Sequence, residues 1–312
     1  MSLRTQTGGA ADRRAVTAPR AVDQLGGSGT GTAPRRRSKV TGASPLMYVA
    51  LTFVVLLSAA PLYFMLVMAS RANSDILGIP PPLLPGDQLA TNIDRVFANA
   101  DVQFGKALLN SLIVASTATL AVVVSSALAG FAFAKLKFRG SNVLLIIVVA
   151  TMMVPVQLGL IPLYMLMTKI GLAGGLASVT LPFLVSGFGV FFMRQYALQA
   201  IPDELIEAAR VDGASTLRIF WSIVFPALRP AAAVLGLLTF MERWNDFLWP
   251  YIALDFNHPT VQVALSRLSG GYYTDQALVM AGTLMGTLPL VVVFIVFGRQ
   301  IVGGIMEGGL KS

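Results

Sequence analysis

Residues 108–133 read LLNSLIVASTATLAVVVSSALAGFAF, a run of 26 residues in which no side chain carries a charge. A helix needs about 20 mostly apolar residues to cross the hydrocarbon core of a bilayer. Four further runs meet this requirement without a charged residue: 46–70, 143–167, 176–193 and 278–297. A sixth run, 231–254, contains Glu242, Arg243 and Asp246. The sequence therefore predicts an all-α membrane protein with six transmembrane helices.

The overall composition agrees with a membrane protein. The 312 residues are 55% hydrophobic and 12% charged, whereas about 25% of the residues of a soluble domain are charged. The mean hydropathy is +0.72. The chain has no cysteine and one histidine, which excludes disulfides, thiolate metal sites and thiol nucleophiles and leaves too few ligands for the usual zinc sites.

The net charge of +8 is concentrated at the amino terminus. Residues 1–44 contain eight Lys and Arg residues and two Asp residues, so this segment alone carries +6. It is rich in Gly, Ser, Thr and Ala without apolar periodicity, so it cannot bury enough surface to offset the entropy of ordering. We therefore expect a disordered basic tail rather than a nucleic-acid-binding domain.

The distribution of basic residues predicts the orientation of the chain. When the tail is placed inside the cell, 17 of the 23 Lys and Arg residues fall on the cytoplasmic side and 5 on the outside. Cytoplasmic loops carry an excess of such residues, so both termini are expected in the cytoplasm. The predicted organisation is a tail at 1–44, a first transmembrane helix and an extracytoplasmic segment at 45–106, a five-helix core at 107–302 and a cytoplasmic tail at 303–312.

The cytoplasmic segment 194–230 is long and is unlike a simple linker. Within it, residues 201–215 read IPDELIEAARVDGAS. Pro202 suits the start of a helix, and the acidic Asp203 and Glu204 favour the positive end of the helix dipole. These residues predict a helix that begins near Pro202.

The same helix has a face of small residues. Leu205, Ala208 and Ala209 share this face by their spacing, and Gly213 is a natural C-terminal stop. Two interpretations follow: an ordinary interfacial helix hairpin, or a helix onto which a cytoplasmic partner docks. The alanine pair favours docking, because it lets the surface of another protein approach the backbone closely.

A second short helix is predicted directly after the first. Ser215 and Thr216 can cap a helix over residues 217–224. Pro226 and Pro230 are expected to end or kink this helix before the fifth span, since proline removes a backbone donor and clashes with the preceding turn.

The spacing of these residues resembles the EAA…G…I.LP pattern of the cytoplasmic coupling loop of type I ABC importer permeases. The resemblance is carried by Glu207-Ala208-Ala209, Asp212-Gly213-Ala214, Ile223 and Pro226. Further stretches are similar to the smaller permease of the carbohydrate, maltose-type branch: Asn110-Ser111, Met153-Val154-Pro155, Ile161-Pro162-Leu163-Tyr164, Trp244-Asn245-Asp246-Phe247 and Gly308-Gly309-Leu310-Lys311. The likeness covers residues 46–312 and leaves out the basic tail.

The resemblance implies a permease subunit of an ATP-driven importer of sugars or oligosaccharides in the cytoplasmic membrane. The implied coupling helix, seated in a groove of an ATPase subunit, contains Glu207, Ala208, Ala209, Asp212 and Gly213. The implied partners are a second permease subunit, two ATPase subunits and an extracytoplasmic sugar-binding protein. Because the sequence lacks a G-x-x-x-x-G-K-[ST] motif, ATP and magnesium are expected on the ATPase. This chain is expected to be no enzyme and to hold no cofactor or metal.

Polar residues inside the spans are candidates for contact with the cargo. Charged groups within a span usually face the bundle interior or a water-filled cavity. Aromatic rings suit sugar rings, and amide and carboxylate groups suit sugar hydroxyls. The candidates are Glu242, Trp244, Asn245, Asp246 and Phe247 in the fifth span and Gln157 in the third. The alternatives are internal pairing of the charged residues, a helix bend near Pro250, and a cargo site that belongs mainly to the partner permease.

The last span contains Gly282 and Gly286 in the G-x-x-x-G spacing that permits close contact between helices. The spacing makes this span a candidate seam with another subunit, although such matches are common by chance.

Other functions remain as alternatives. A stand-alone secondary transporter or channel commonly shows internal repeats, and it would leave the segment at 201–215 unexplained. A membrane-embedded enzyme needs a cluster of His, Asp or Ser near one interface, whereas the acidic residues here are concentrated on the predicted docking helix. An ABC permease for a solute other than a sugar is a further alternative.

Overall fold

The computed structural model of the chain describes residues 44–270 and 274–309, with side chains described as far as residue 298. The tail predicted at 1–44 lies outside these residues, except for Ser44. Within the described residues the regular secondary structure is helical, and the one β-type contact given is a bridge between Gly174 and Leu254. The prediction of an all-α protein is confirmed for this part of the chain.

The described helices are, in chain order, α1 Pro45–Ala69, α2 Asn73–Ile76, α3 Leu89–Ala98, α4 Phe104–Lys135, α5 Ser141–Met152, α6 Leu160–Lys169, α7 Leu176–Thr180, α8 Gly187–Ala200, α9 Asp203–Val211, α10 Thr216–Ile219, α11 Phe225–Trp244, α12 Leu248–Ala253, α13 Val261–Ser269 and α14 Gln276–Gly309. Short 3₁₀ helices cover Val156–Gly159 and Leu181–Phe183, and a π-helical turn covers Phe220–Val224. Residues 303–309 of the predicted C-terminal tail continue α14, and residues 310–312 lie outside the described residues.

Several helical stretches of the described chain are long and apolar enough to cross a membrane. They are Pro45–Ala69, Phe104–Lys135, Leu176–Ala200, Thr216–Trp244 and Gln276–Gly298. Helix α5 and the stretch Val156–Lys169 meet the same requirement only together, and they are bent by 90° at the break between them. By length and composition, the described residues therefore contain five candidate spans, or six when the bent pair is counted as one, against the six predicted.

The predicted third span, 143–167, is not one continuous helix. Helix α5 ends at Met152, and Pro155 has extended backbone angles, with φ −60° and ψ 125°. Because the ring of a proline disfavours the α conformation in the residue before it, Val154 cannot easily continue the helix. The chain turns here and resumes helical structure at Val156.

The predicted fifth span, 231–254, lies at a different position. The helical stretch begins at Thr216 and ends at Trp244, and residues 248–253 form the separate helix α12. Pro226 does not end the stretch: it lies just after the π-helical turn Phe220–Val224, and Val224 and Phe225 before it keep helical backbone angles. Pro230 lies inside α11. The π-helical turn joins α10 to α11, so of the two predicted effects of Pro226 and Pro230, an end or a kink, the end near residue 224 is wrong.

The chain divides into two units, 1–53 and 54–312. In the first unit, the described residues are the beginning of α1, whose apolar side chains are exposed. In the second unit, α4 packs against both α8 and α11, and α11 packs against α14. One buried cluster joins α4, α8, α9 and α11 and includes Phe131, Met193, Ile206, Phe220 and Leu235. Another joins α4, α11, α13 and α14 and includes Phe104, Trp244, Val261 and Ala281.

The G-x-x-x-G pair of the last span contacts a helix of the same chain. A Cβ atom at Gly282 would lie 2.8 Å from Leu268 Cδ1, and one at Gly286 would lie 2.9 Å from Val261 Cγ1. Both contacted residues belong to α13. The two glycines therefore let α13 approach α14 closely, which replaces the predicted contact with another subunit on this face.

Candidate functional site

Helix α9 forms where the sequence predicts the docking helix. Pro202 precedes it with extended backbone angles, φ −62° and ψ 143°, and Asp203 and Glu204 occupy its first turn. Their carboxylates are favourable there because the N-terminal end of a helix carries partial positive charge.

Gly213 ends α9 in the left-handed conformation, with φ +77°. The Gly213 N–H donates to the carbonyl of Arg210 over 3.0 Å, and the Ala214 N–H donates to the carbonyl of Ala209 over 2.9 Å. This pair of bonds is the Schellman arrangement, which satisfies the last carbonyls of a helix and requires a residue that tolerates positive φ. The predicted stop at Gly213 is confirmed.

The two alanines of α9 lie on different faces. Ile206 is buried and Ala209 is half-buried, and both pack on the cluster formed with α4, α8 and α11. Leu205 and Ala208 are exposed. The predicted face shared by Leu205, Ala208 and Ala209 is therefore split, because Ala209 points inward. The exposed side of α9 presents Leu205, Glu207 and Ala208.

An ion pair ties the beginning of α9 to the end of α4. Lys135 Nζ lies 2.7 Å from Asp203 Oδ1, and the lysine side chain is only 6% exposed whereas that of Asp203 is 76% exposed. The hydrogen bond from Lys135, together with its charge, holds the pKa of Asp203 below the usual value of 3.8. Lys135 is not among the residues that the sequence predicts for this site; the signal for it is its position as the last residue of the long apolar helix α4, since α9 carries several acidic residues.

A cavity of about 300 Å³ lies between the end of α4 and α9. It is lined by Ala134, Lys135, Leu136, Lys137, Asp203, Ile206, Glu207 and Arg210. Glu207 therefore lies at the edge of a recess that contains both acidic and basic groups. Two apolar side chains that follow in the sequence, at the end of α9 and in α10, are also exposed: Val211 by 89% and Leu217 by 62%. This surface can accept a protein partner that has both apolar and charged side chains.

A second polar site lies where α11 ends. The Arg243 guanidinium contacts the Glu242 carboxylate through Nη2, and its Nη1 lies 3.4 Å from Asp246 Oδ2. The same guanidinium lies over the ring of Phe183, 4.2 Å from its centroid. The charged residues of this segment are thus paired with one another, which is one of the alternatives that the sequence left open.

Two neighbouring cavities, of about 330 and 230 Å³, open at this cluster. Both are lined by Val156, Phe183, Glu242 and Arg243, and the smaller one is also lined by Gln157 and Asp246. The structure therefore brings Gln157, from the break in the third span, together with Glu242 and Asp246. Neutral polar residues missed by the sequence analysis line the larger cavity: Thr151, Ser186 and Thr239.

The other candidates for cargo contact lie elsewhere. Trp244 is 1% exposed, and its Nε1–H donates to the carbonyl of Gly286 over 3.0 Å, so it is a core residue between α11 and α14. Asn245 caps the end of α11: its amide donates to the carbonyl of Met241, and its Oδ1 accepts from Gln262 Nε2. Phe247 is exposed and contacts the Tyr251 ring at 5.2 Å between centroids. Trp244, Asn245 and Phe247 line neither of the two cavities.

The described residues contain no group of three or more His, Cys, Asp or Glu side chains that could hold a metal ion.

Comparison with known proteins places these features in a family. The family described as "Binding-protein-dependent transport system inner membrane component" matches residues 121–302. An arabinooligosaccharides transport system permease of Halalkalibacterium halodurans is 30% identical over 273 residues, which cover 86% of this chain and 96% of the relative. A lactose transport system permease of Rhizobium radiobacter is 34% identical over 267 residues, covering 85% and 96%.

Two further comparisons complete this picture. An sn-glycerol-3-phosphate transport system permease of Yersinia pestis is 32% identical over 273 residues, covering 85% of this chain and 97% of the relative. In a crystal structure of a bacterial ABC transporter involved in the import of the acidic polysaccharide alginate, one chain has the same fold, with a TM-score of 0.71 at 24% identity over 81% of this chain and 94% of that one. The chain belongs to the family of inner membrane components of binding-protein-dependent transport systems.

Proposed function

We propose that this chain is a permease subunit of an ATP-driven importer that moves a sugar or oligosaccharide across the cytoplasmic membrane. It would act with a second permease subunit, two ATPase subunits and an extracytoplasmic sugar-binding protein. ATP and magnesium would bind to the ATPase subunits, and this chain would hold no cofactor of its own. Membership of a family of binding-protein-dependent transport components supports this proposal.

The geometry of α9 carries the coupling part of the proposal. One side of the helix is fixed to the body of the protein by Ile206 and by the pair of Lys135 with Asp203. The opposite side presents Leu205, Glu207 and Ala208 without covering residues. A helix held on one side and exposed on the other can transmit a displacement of a bound partner to α4. In this proposal Glu207 and Asp212 orient the ATPase subunit, while Ala208 and Gly213 allow close approach.

The orientation follows from charge. The end of α4, α9 and the segments beside them carry many of the 17 basic residues that the positive-inside rule assigns to the cytoplasm. Both termini would then lie in the cytoplasm, and α9 would lie on the side where ATP is present.

The proposed cargo class rests on the relatives. Those compared above are named for arabinooligosaccharides, for lactose and for sn-glycerol-3-phosphate. A saccharide is therefore the favoured cargo, and Gln157, Glu242 and Asp246 would line its path together with Thr151, Ser186 and Thr239. Hydroxyl, amide and carboxylate groups are suitable partners for sugar hydroxyls.

The proposal is tested by charge reversal on the exposed side of α9. The chain is expressed with its partner subunits, and uptake, ATPase activity and membrane insertion are measured for Glu207→Lys. We expect normal insertion and abolished uptake, because the reversed charge faces the ATPase. Asp94→Lys is the matched control, since Asp94 is exposed on α3, away from α9, and uptake should stay at the wild-type level.

Two results would contradict the proposal. Normal uptake by Glu207→Lys would remove α9 from the coupling path. Sugar uptake by the purified chain alone, without an ATPase subunit, would favour a stand-alone transporter or channel.

A further inference from the structure

We infer that the cargo of this importer is an uncharged saccharide, because among the described residues the smaller of the two cavities at the end of α11 has a wall with net negative charge, and the one cation on the walls of both is paired. This inference rests on the proposed function and narrows its substrate class. It distinguishes neutral sugars from sugar phosphates and from oligosaccharides that contain uronic acids.

The charged residues that line the two cavities are few. In the described part of the chain they are Glu242, Arg243 and Asp246. Glu242 and Arg243 line both cavities and cancel, so the larger cavity has no formal net charge, while Asp246 gives the smaller cavity a formal charge of −1. Charged side chains beside a narrow path set which ions enter it, and a cleft lined with one sign of charge repels solutes of the same sign.

Arg243 is not available to bind an anionic cargo. Its two terminal nitrogens are directed to Glu242 and Asp246, its guanidinium lies over Phe183, and its side chain is 11% exposed. A phosphate or carboxylate is recognised by arginine through two parallel N–H donors. Such a contact would require Arg243 to leave both carboxylates, which would then face the anion.

The carboxylate of Glu242 presents a negative charge to the open space of the cavities. Its side chain is 67% exposed, although it contacts Arg243. An anion in the larger cavity would therefore meet a carboxylate first. Thr151, Ser186 and Thr239, which line the same cavity, are neutral groups that donate and accept hydrogen bonds. These groups, with the Phe183 ring, suit a neutral sugar.

Because the sequence has no cysteine, a single introduced thiol can report the electrostatic potential inside the cavity. Gln157→Cys places a single thiol of this chain at the smaller cavity, within the complex assembled with its partner subunits. Labelling is followed by the mass of this chain with three methanethiosulfonates: the neutral hydroxyethyl, the anionic sulfonatoethyl and the cationic trimethylammonioethyl reagents. Each rate is divided by the rate of the same reagent with 2-mercaptoethanol.

We expect the anionic reagent to react about tenfold more slowly than the neutral one after this correction, and the cationic reagent to react faster. Adding Glu242→Gln should bring the anionic and neutral rates together. Adding Asp94→Asn, which removes the same charge from exposed α3, should leave their ratio unchanged. Equal corrected rates in the Gln157→Cys complex, or a ratio unaffected by Glu242→Gln, would overturn the inference. A thiol that the neutral reagent does not reach would overturn it as well, because the cavity would then be closed to solutes.

These outcomes are distinct from failure of the proposed function. That function fails if the chain is isolated without an ATPase subunit, or if it takes up sugar alone, whatever the labelling rates are. The inference alone fails if the complex couples ATP hydrolysis to uptake but its cavity shows no preference between neutral and anionic reagents.

Discussion

Lys135 Nζ lies 2.7 Å from Asp203 Oδ1, so the last residue of α4 is bonded to the first residue of α9, although 68 positions separate them in the sequence. Helix α4 packs along α8 and α11. The ion pair therefore joins the exposed helix to the helices that form the body of the protein. A force applied to α9 reaches these helices through this contact and through the buried Ile206.

Exchange of the two charges tests this connection. We expect Asp203→Lys to reduce uptake severalfold without preventing insertion, because two cations then face each other across the contact. The double variant Lys135→Asp with Asp203→Lys restores opposite charges and should recover most of the lost activity. The measurement is uptake per ATP hydrolysed by the assembled complex. If the double variant is no better than Asp203→Lys alone, the pair does not transmit the coupling.

The stabilisation from the ion pair of Lys135 with Asp203 has a defined dependence on pH. The hydrogen bond and the charge of Lys135 lower the pKa of Asp203 in the folded protein below 3.8. A carboxyl group whose folded pKa is lowered contributes its stabilisation above the unfolded pKa and loses it as the pH falls through the folded pKa. We therefore expect the protection of the α9 amides from hydrogen exchange, corrected for the intrinsic rate, to stay constant from about pH 5 to about pH 8.

The control for this pH experiment is Asp203→Asn, in which the carboxyl group is absent. Protection of α9 should be lower in this variant at every pH in the same range. Protection that falls steadily from neutral pH toward pH 5 in the wild type would show that another group controls the helix.

Gly213 tests whether the backbone conformation at the end of α9 matters. Its φ of +77° is unfavourable for a β-branched residue, and a left-handed conformation costs an L-residue about 1–2 kcal/mol. We expect Gly213→Val to fray the end of α9 and to reduce uptake. Gly213→Asn should keep the helix end, because asparagine tolerates this conformation.

The two Gly213 variants also separate backbone effects from crowding. A Cβ at this position would meet no atom of this chain within 4 Å, so a side chain is tolerated sterically in the isolated subunit. Hydrogen exchange of residues 203–213 reports the helix end, and uptake reports coupling. If Gly213→Val and Gly213→Asn behave alike in hydrogen exchange, the positive φ is not the reason for glycine here.

Trp244 is expected to affect stability and not cargo recognition. Its ring is buried between α11 and α14 and stacks on Phe240 at 5.6 Å between centroids. Trp244→Ala should lower the free energy of unfolding by about 3–5 kcal/mol, and Trp244→Phe, which loses the hydrogen bond to Gly286, by about 1 kcal/mol from that bond. Thermal unfolding in detergent and the KM for uptake are the measurements.

The exposed Phe247 provides the comparison for Trp244. Phe247→Leu should change the free energy of unfolding by no more than about 0.5 kcal/mol. A Trp244→Phe variant with wild-type stability but a raised KM would return Trp244 to the path of the cargo.

The sequence predicted the features that depend on local composition. The charge-free runs became apolar helices, and the residues from Pro202 to Gly213 became α9, because caps and apolar faces act over a few neighbouring positions. The break after Met152 was missed, since the run through Pro155 contains no charge and was counted as one span. The predicted fifth span begins too late, at residue 231, because proline is expected to end or kink a helix, whereas the helical stretch continues through Pro226 after the π-helical turn.

The site was predicted only where its residues are close in sequence. The sequence predicts one polar cluster from Glu242, Arg243 and Asp246, because these residues lie within about one helical turn of each other. Phe183 and Lys135 were not found, since each meets its partner through the packing of distant helices. Trp244 is predicted to contact the cargo because aromatic rings suit sugar rings, but its burial and its bond to Gly286 depend on how α14 lies against α11.

The 90° bend after Met152 determines how thick the apolar barrier is at this point. At about 1.5 Å per residue, the 12 residues of α5 extend about 18 Å and the helical stretch Val156–Lys169 about 21 Å, whereas the hydrocarbon core is about 30 Å thick. Neither half can cross alone, so the free backbone groups at the break need protein or water as partners. The break therefore lies beside Gln157, where the chain lines a cavity that water or a polar solute can fill.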